Sequence, residues 1–422
     1  MSDDKDLIHS ILDSSSKDIN YYNNYIDKLF TDLSWRKAKK IHQEKEEQII
    51  KNIKNNINKL VNHIKELKGD NDENKDLYNC LSCIYGAFLG DALGAYCEFS
   101  SANPDNHKRI LQGNPMFGDS PGQVTDDSEM AMCCAFGIMD NPYMLRLDSD
   151  YLYYYYGCWY LSNPKDIGYT TRSALRFFKT TDFDPNKKNN FQNIFKTIRN
   201  SNYNSMANGF LMRTSPFIAW CYYRFKELIE ETFQSLKKEK LFELFQIIKI
   251  QAKKDDICTH PNDKLCISHS CFSIMALAAI CGKKAKEILE ILENLLTNEF
   301  FDTLEAKDIK QMIMDEINEH KNNKNGKGYK IPQENYGFLY FSQIKSVNNH
   351  MGFYVHAFRL TLYYLAYFDE IEETNNFTKY RIIMNQICNY GGDTDTNAAI
   401  VGTVIGPLIG LKNFGDELWT RV

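Results

Sequence analysis

Two short acidic motifs in this 422-residue sequence carry residue types that can bind divalent cations. The first motif is Thr125-Asp126-Asp127, and the second is Asp393-Thr394-Asp395-Thr396. Carboxylate and hydroxyl oxygens are ligands that Mg²⁺ and Mn²⁺ prefer, whereas zinc would favour histidine or cysteine. Four aspartates brought together without a cation would repel one another and raise their pKa values. If the two motifs meet in the fold, a pair of divalent ions is therefore expected, as in two-metal hydrolases.

Each motif also stands where a helix is expected to begin. A loop with Pro115, Gly118, Pro121 and Gly122 precedes the first motif, and Gly391-Gly392 precedes the second. Aspartate and threonine are good N-cap residues, and the helix dipole stabilises carboxylates at this end. Helix capping is thus an alternative interpretation of both motifs. Capping alone, however, needs one aspartate, and each motif contains two.

The helices that follow or precede these motifs contain regularly spaced glycines. Glycine recurs every four residues at Gly86, Gly90 and Gly94, and again at Gly402, Gly406 and Gly410. Each glycine inside a helix costs about 1 kcal/mol relative to alanine, so the pattern needs a compensating reason. Close approach of two helix backbones is such a reason, and we expect tightly packed core helices here.

Helical periodicity dominates the sequence from residue 77 onwards. Apolar residues recur at helical spacing over 128–140, 166–178, 208–225, 268–281 and 353–368, and strand-like alternation between hairpin turns is rare. We therefore predict an all-α domain over residues 77–422. Two segments rich in Asn and Lys, 186–204 and 316–330, are predicted to be surface loops.

Residues 1–76 form a separate N-terminal extension rich in Asn, Lys, Glu and Asp. Ile and Leu recur there at steps of three and four residues over 49–67, which predicts an amphipathic helix. A polar linker over 69–74 follows it. The apolar stripe of this helix could dock on the main domain or on a partner protein.

Composition narrows the classes of partner. The formal net charge of −5 and the pI near 6.0 provide no broad basic field, so nucleic acid is not an expected partner. The twelve cysteines are scattered through apolar segments without zinc-site spacing, which indicates buried thiols in a reducing cytosol. The longest run without Asp, Glu, Lys or Arg, over 265–282, is shorter than the roughly 20 residues that span a bilayer. We expect a soluble, cytoplasmic protein with no membrane partner.

Six motifs occur in a fixed order along the chain. They are Gly86-Ala-Phe-Leu-Gly-Asp-Ala-Leu-Gly94 with Glu98, Thr125-Asp126-Asp127, Asp166-Ile-Gly-Tyr-Thr-Thr-Arg172, Asn208-Gly-Phe-Leu-Met-Arg213, Gly352-Phe-Tyr-Val-His356 and Gly391-Gly-Asp-Thr-Asp-Thr396. Together they resemble the ADP-ribosylglycohydrolase family, which includes the dinitrogenase reductase-activating glycohydrolase and the ADP-ribosylarginine and ADP-ribosylserine hydrolases. The resemblance covers about residues 80–412 and implies an all-α orthogonal multi-helix bundle with a binuclear Mg²⁺ or Mn²⁺ centre.

The resemblance also implies roles for individual residues. The metal ligands would be Thr125, Asp126, Asp127, Asp393, Asp395 and Thr396. Asp126 and Asp393 are the candidates for the catalytic base, and Glu98 would lie near the ribose and the metals, although it could equally be an ordinary solvent-facing residue. The substrate-binding residues would be Asn208, Gly209, Gly352, Phe353, Tyr354 and Gly392. Glycine backbone could approach the diphosphate and an aromatic ring could stack on adenine, but both aromatic residues could instead be core.

Three further polar residues are assigned to the interior. His260 and His269 are interpreted as packing or supporting residues, because no histidine in the chain has ligand-like spacing. Arg213 is expected to form an internal ion pair with the acidic loops, because an unpaired buried guanidinium would be costly.

The implied reaction is Mg²⁺-dependent hydrolysis of ADP-ribose from a modified protein side chain or a small ADP-ribose compound. The Asp-Thr-Asp-Thr form of the second motif and Glu98 resemble the serine-directed and bacterial members, whereas the segment 166–172 resembles the bacterial arginine-directed enzyme. Between these conflicting cues we favour the arginine N-glycosidic linkage over the serine O-linkage or O-acetyl-ADP-ribose. A two-metal phosphohydrolase is an alternative, but it would usually add Lys or Arg, and neither acidic motif contains one. A non-catalytic ADP-ribose-binding module that recruits partners through the N-terminal helix is the other alternative.

Overall fold

A computed structural model describes residues 75–109, 113–120, 122–141, 146–184, 186–325, 350–371 and 375–414. These ranges contain fourteen α-helices and no β-strand, with only two isolated β-bridges. The helices are α1 Lys75–Gly94, α2 Asp126–Asp140, α3 Ser149–Leu161, α4 Tyr169–Leu175, α5 Gln192–Asn202, α6 Ser215–Arg224, α7 Lys226–Ser235, α8 Lys238–Asp256, α9 Asp263–Ile280, α10 Ala285–Leu296, α11 Lys307–Asn325, α12 Tyr354–Tyr367, α13 Asn376–Tyr390 and α14 Thr394–Ile409. The all-α prediction is confirmed. The helix predicted over 49–67 and the linker over 69–74 lie outside the described residues.

The central feature of the fold is an antiparallel pair formed by α1 and α14. A Cβ added at Gly86 would lie 2.4 Å from the backbone oxygen of Gly402, and one added at Gly90 would lie 2.3 Å from that of Ala398. The regularly spaced glycines thus allow direct backbone contact, as the sequence indicates. Gly410 differs from the others, because it ends α14 with a φ of +81°. The antiparallel arrangement places the last turn of α1 beside the first turn of α14.

Several helices begin or end at other residues than the sequence predicts. The helix expected over 208–225 begins only at Ser215, because the backbone over 208–214 turns and bonds to a distant segment. Asn208 N donates to Gly352 O at 2.9 Å, and Leu211 N donates back to Asn208 O at 2.8 Å. Pro216, in the first turn of α6, favours a helix start at this point. The helix expected over 166–178 is likewise limited to α4.

The prediction of a surface loop over 186–204 is wrong for α5, which occupies most of that segment. Phe195 and Ile198 are buried on one face of α5, together with Phe191 immediately before it. The aromatic ring of Tyr153 meets the rings of Phe191 and Phe195 edge-on, at 4.9 and 5.4 Å. The loop was predicted because the segment is rich in Asn and Lys, and this composition outweighed the few apolar residues that recur at helical spacing.

The loop prediction over 316–330 is also wrong up to Asn325, where α11 ends. Ile309, Ile313 and Ile317 of α11 are buried at four-residue steps, so the helix docks through a narrow apolar stripe. The rest of the predicted loop, residues 326–330, lies outside the described residues.

The interior is formed mainly by long apolar helices. By length and composition, the segments Lys75–Cys97 and Asp263–Ile280 could cross a membrane, but 78% and 89% of their apolar windows are buried inside the protein. Both are therefore core helices of this fold. Ten of the twelve cysteines are buried.

Candidate metal centre

The last turn of α1 holds the starts of both α2 and α14. Asp91 of α1 accepts hydrogen bonds from the backbone and hydroxyl of Thr125, at 3.0 and 2.9 Å, and from those of Ser128, at 3.1 and 2.5 Å. The hydroxyl of Thr394 donates to the carbonyl of Gly94 at 2.7 Å. Each acidic motif is thus anchored to the same turn of one helix.

This anchoring decides against the interpretation of the motifs as mere helix caps. Thr125 is the N-cap residue of α2 and Asp393 that of α14, yet within the described chain neither side chain makes a capping bond to its own helix. The backbone N–H of Ser128, in the first turn of α2, instead donates to Asp91 at 3.1 Å. Oδ1 of Asp395 accepts the N–H of Thr396 at 2.9 Å, whereas the Asp127 carboxylate accepts from the hydroxyls of Thr125 and Thr396.

Asp395 of α14 connects two groups of carboxylates. Its carboxylate oxygen lies within 4.8 Å of those of Asp91 and Asp127, which also lie within 4.8 Å of each other. A second group with the same spacing contains Glu98, Asp166 and again Asp395. The structure therefore brings both acidic motifs, and acidic residues from two further segments, to one place.

Direct contacts tie the two motifs to each other. Oδ2 of Asp127 lies 2.9 Å from the hydroxyl oxygen of Thr125 and 3.3 Å from that of Thr396, which donates to it. Asp126 is 7% exposed, and the neighbouring charge of Asp166 adds to burial in raising its pKa. All six residues predicted as metal ligands are buried, and they lie on the facing ends of α2 and α14.

Asp393 marks the side of the centre that faces the predicted substrate-binding segments. Nδ2 of Asn208 donates to Oδ2 of Asp393 at 2.6 Å. A Cβ added at Gly352 would lie 3.7 Å from both Asn208 Oδ1 and Asp393 Oδ2. Asn208 and Gly352 therefore lie directly against the second acidic motif.

Burial and mutual repulsion raise the pKa values of the central carboxyl groups. The pKa values of Asp126, Asp127 and Asp395 lie well above the usual value, first because the groups are desolvated and then because other carboxylates surround them. The same causes, with Asp166 as the nearest contributor, raise the pKa of Glu98 to about 10. Burial raises the pKa of Asp91 only to about 6, because its hydrogen bonds from Ser128 and Thr125 oppose the shift. Such a group of acids ionises together only beside a strong positive charge.

The residues present fit a divalent metal centre. Oδ1 of Asp127 is buried and has no hydrogen-bond partner among the described residues, so one acceptor points into the cluster unused. Oxygen donors from carboxylates and hydroxyls suit a hard cation. Asp91, whose carboxylate already accepts bonds from Thr125 and Ser128, supports the first motif and is a poorer direct ligand.

The two aromatic residues predicted to bind substrate differ in how deeply they are buried. Tyr354 is only 3% exposed and packs against Phe210, with ring centroids 6.1 Å apart, so its ring belongs to the core. Phe353 is half-buried and meets the Tyr354 ring edge-on at 5.5 Å. Of the two aromatic residues, Phe353 is the one with surface left for a ligand.

Two of the predicted substrate-binding glycines, Gly209 and Gly392, make contacts within the protein. A Cβ at Gly209 would lie 2.8 Å from the His260 ring. The N–H of Gly392 donates to the carbonyl of Ser100 at 2.9 Å, and the carbonyl of Gly392 accepts from Phe99 N at 2.7 Å. Gly392 therefore fastens the segment after Glu98 to the second acidic motif.

Sequence reasoning assigned no role to three residues of the site. Asp91 and Asp166 lie inside segments that the family resemblance covers, but as single acids they gave no local sign of a ligand cluster. Asn114, 2% exposed, donates from Nδ2 to Oε2 of Glu98 at 2.8 Å. It lies in the loop before the first motif, where nothing in the sequence singles it out.

A separate buried network corrects the expectation for Arg213. Its Nε donates to Asp255 at 3.1 Å, and its guanidinium carbon lies 4.2 Å from the ring centroid of Tyr156. The expected ion pair with the acidic loops was therefore wrong, because Asp255 on α8 supplies the charge. His269 lies between Asp256, at 2.9 Å, and Thr214, at 2.6 Å, and it is fully buried, as expected of a packing residue.

Comparisons by sequence and by structure all match proteins described as ADP-ribosylglycohydrolases or as related to them. A family model described as ADP-ribosylglycohydrolase matches residues 73–422. A protein of Acanthamoeba polyphaga mimivirus named as an ADP-ribosyl glycohydrolase is 26% identical over 342 residues, which cover 78% of this chain and 86% of the relative. The ADP-ribosyl-[dinitrogen reductase] glycohydrolase of Rhodospirillum rubrum is 31% identical over 100 residues, covering 23% of this chain and 33% of the relative. A solved structure of an ADP-ribosylglycohydrolase-related protein complex superposes with a TM-score of 0.52 at 19% identity, covering 82% of this chain and 93% of the other, and it shows a shared fold.

Proposed function

Since the chain belongs to the ADP-ribosylglycohydrolase family of hydrolases, we propose that it removes ADP-ribose from modified protein side chains in a reaction that depends on two Mg²⁺ ions. Mn²⁺ is the expected substitute, because it accepts the same oxygen ligands. The observation that carries the proposal is the meeting of the two acidic motifs, in which Thr396 contacts Asp127 and one buried oxygen of Asp127 has no hydrogen-bond partner in the described part of the chain.

The two motifs would supply the metal ligands. Thr125, Asp126 and Asp127 would bind from the start of α2, and Asp393, Asp395 and Thr396 from the start of α14. Bound cations would neutralise the carboxylates and provide positive charge beside the hydroxyl groups of the ribose.

The remaining chemistry falls to side chains of the protein. The reaction breaks the bond between C1″ of the ribose and the side-chain atom, and a water molecule supplies the new hydroxyl group and a proton for the leaving side chain. Asp126 and Asp393 are the candidates that accept the proton of the attacking water. Asp393 is held by a hydrogen bond from Asn208 at 2.6 Å. Carboxylates around the site would stabilise the positive charge that develops at C1″.

We propose arginine as the linked side chain, because Glu98 and Asp166 form an acidic pair at one side of the centre. A guanidinium group matches carboxylates through charge-assisted hydrogen bonds. The alternatives, a serine O-linkage or O-acetyl-ADP-ribose, would leave that acidic pair without a cationic partner from the substrate. Phe353, which follows Gly352 beside Asp393, is the ring proposed to stack on adenine.

The test uses peptides that carry ADP-ribose on arginine or on serine, with Mg²⁺ or with EDTA. We expect release of ADP-ribose from the arginine peptide with Mg²⁺, and loss of this release in EDTA and in the Asp126→Asn, Asp395→Asn double variant. Release that persists in EDTA or in the double variant would contradict a metal mechanism. Tight binding of the peptides without turnover at saturating Mg²⁺ would instead indicate a binding module.

A further inference from the structure

An apolar surface borders the acidic site at Glu98. Phe99 follows Glu98 directly and is 44% exposed, and Met116 is 66% exposed. The ring of Phe117 meets that of Phe99 edge-on, with centroids 6.5 Å apart. We call Phe99, Met116 and Phe117 the apolar rim.

Hydrogen bonds hold the apolar rim in a fixed place beside the site. Asn114 donates from its side chain to Glu98 at 2.8 Å and accepts the backbone N–H of Met116 at 2.9 Å. Lys165, which precedes Asp166, forms a 2.9 Å ion pair with Asp119 further along the same loop. The loop that carries Met116 is therefore attached both to Glu98 and to the segment of Asp166, the two acids proposed to meet the linked side chain.

The backbone at Phe99 is strained. Its φ is +59°, in the left-handed region that bulky residues seldom adopt. The bond from Phe99 N to Gly392 O, at 2.7 Å, holds the residue in this conformation. A strained aromatic residue that is nearly half exposed gains little from the core, so its position points to contact with a ligand.

We propose that the apolar rim binds an apolar residue next to the modified side chain in the polypeptide substrate. This inference rests on the proposed function and adds a substrate class to it, namely modified proteins with apolar residues flanking the linkage. The ADP-ribose moiety is assigned to the Asp393 side of the centre, where Asn208 and Gly352 lie. The apolar rim adjoins Glu98, where the linked side chain leaves and where its polypeptide continues. A free ADP-ribose compound would have no group to place there.

The test compares three substrates: ADP-ribosylarginine as the free amino acid, a peptide with leucine on both sides of ADP-ribosylarginine, and the same peptide with serine at those positions. We expect the wild-type chain to favour the leucine peptide over the serine peptide about tenfold in kcat/KM, since partial burial of a leucine contributes roughly 1.4 kcal/mol. In Met116→Ser and in Phe99→Asn this preference should fall to about twofold or less. Asparagine tolerates the left-handed backbone better than phenylalanine does, which preserves the fold at residue 99.

Leu304→Ser is the matched control, because Leu304 is 78% exposed and lies in the turn before α11. It should retain the tenfold preference. An equal fall in kcat/KM for the free amino acid and the leucine peptide in Met116→Ser would overturn the proposal, since the rim would then contact the nucleotide. Equal wild-type rates on the two peptides would also overturn it.

Failure of the proposed function can be recognised separately. If no substrate is hydrolysed, the leucine and serine peptides are given a fluorescent label, and their equilibrium binding is measured in place of kcat/KM. Weaker binding of the leucine peptide by Met116→Ser, with Leu304→Ser as control, would then support the apolar rim as a docking surface. Unchanged binding would overturn it.

Discussion

Replacement of Gly90 by alanine would test whether backbone contact between α1 and α14 builds the metal centre. The added Cβ would lie 2.3 Å from the carbonyl oxygen of Ala398 and 2.6 Å from its carbonyl carbon, whereas ordinary contacts are 3.4 to 4 Å. The shortfall from 3.4 Å is 1.1 Å at the oxygen. Because the obstacle is backbone, no side chain can move aside, and the helices must separate by about 1 Å.

The expected loss of stability follows from two opposing contributions. Alanine improves helix propensity by about 1 kcal/mol over glycine. Overpacking of a tight core costs about 1 to 3 kcal/mol and sometimes more, and rigid backbone places this site at the upper end. The net destabilisation is about 2 kcal/mol, which corresponds to a fall of about 3 °C in the melting temperature for a domain of this size.

Thermal denaturation followed by circular dichroism measures this change, and hydrolysis at 25 °C measures its effect on the site. Activity should fall further than the folded fraction, because separation of α1 from α14 moves Asp91 and the first motif away from Asp395. The control is Gly168→Ala, since a Cβ at Gly168 would meet no atom within 4 Å and its φ is −60°. Wild-type melting and wild-type activity in Gly90→Ala would refute this account of the site.

Three further predictions concern buried charge. Burial raises the pKa of Glu129 from 4.5 to about 7, while Trp159 donates to its carboxylate. The stabilisation by its protonated form is complete below pH 4.5 and is lost as pH rises through 7. In EDTA at pH 8, the free energy of unfolding of Glu129→Gln should therefore exceed that of the wild type, by at most about 3 kcal/mol. At pH 5 the two proteins should melt at nearly the same temperature. Equal melting temperatures at pH 8 would count against this account of Glu129. Asp127→Asn should raise the melting temperature in EDTA, because asparagine avoids the cost of burying a carboxyl group whose pKa is strongly raised. The same variant should abolish the stabilisation by Mg²⁺, about 2.7 kcal/mol at a hundred times Kd. A retained Mg²⁺ effect would argue against Asp127 as a ligand. Arg213→Met should lower the free energy of unfolding by about 3 to 5 kcal/mol in urea denaturation, since it leaves Asp255 buried and unpaired. Adding Asp255→Asn should restore part of this stability. If the losses of the two single variants simply add in the double variant, the ion pair between Arg213 and Asp255 is refuted.

The acidic motifs could be predicted from the sequence because each is contiguous. Adjacent aspartates at a helix start exceed what capping needs, and this excess is visible locally. The role of Asp91 is different, because it depends on a contact with Thr125, 34 residues away. A single aspartate in an apolar helix does not reveal which loop will lie over it. Asp166 and Asn114 were missed for the same reason.

Helix content could be predicted, but several helix ends could not. The turn over 208–214 exists because Asn208 and Met206 bond to the backbone at Gly352 and Tyr354, and such tertiary bonds leave no periodic trace. In the segment that contains α5, polar composition outweighed the few buried apolar residues. Periodicity at only two or three positions was enough to dock that helix on an existing core.

Because α1 pairs with α14, the metal centre cannot assemble until nearly the whole chain has been synthesised. Gly94 and Thr394, which bond to each other across this pair, are 300 residues apart in the chain. The first acidic motif therefore leaves the ribosome long before the second is synthesised. Until α14 is complete, the glycine-lined face of α1 remains exposed. A chain that stops before α14 would hold half of the carboxylates and expose a core helix. We expect premature termination to yield an inactive, aggregating polypeptide rather than a partly active enzyme.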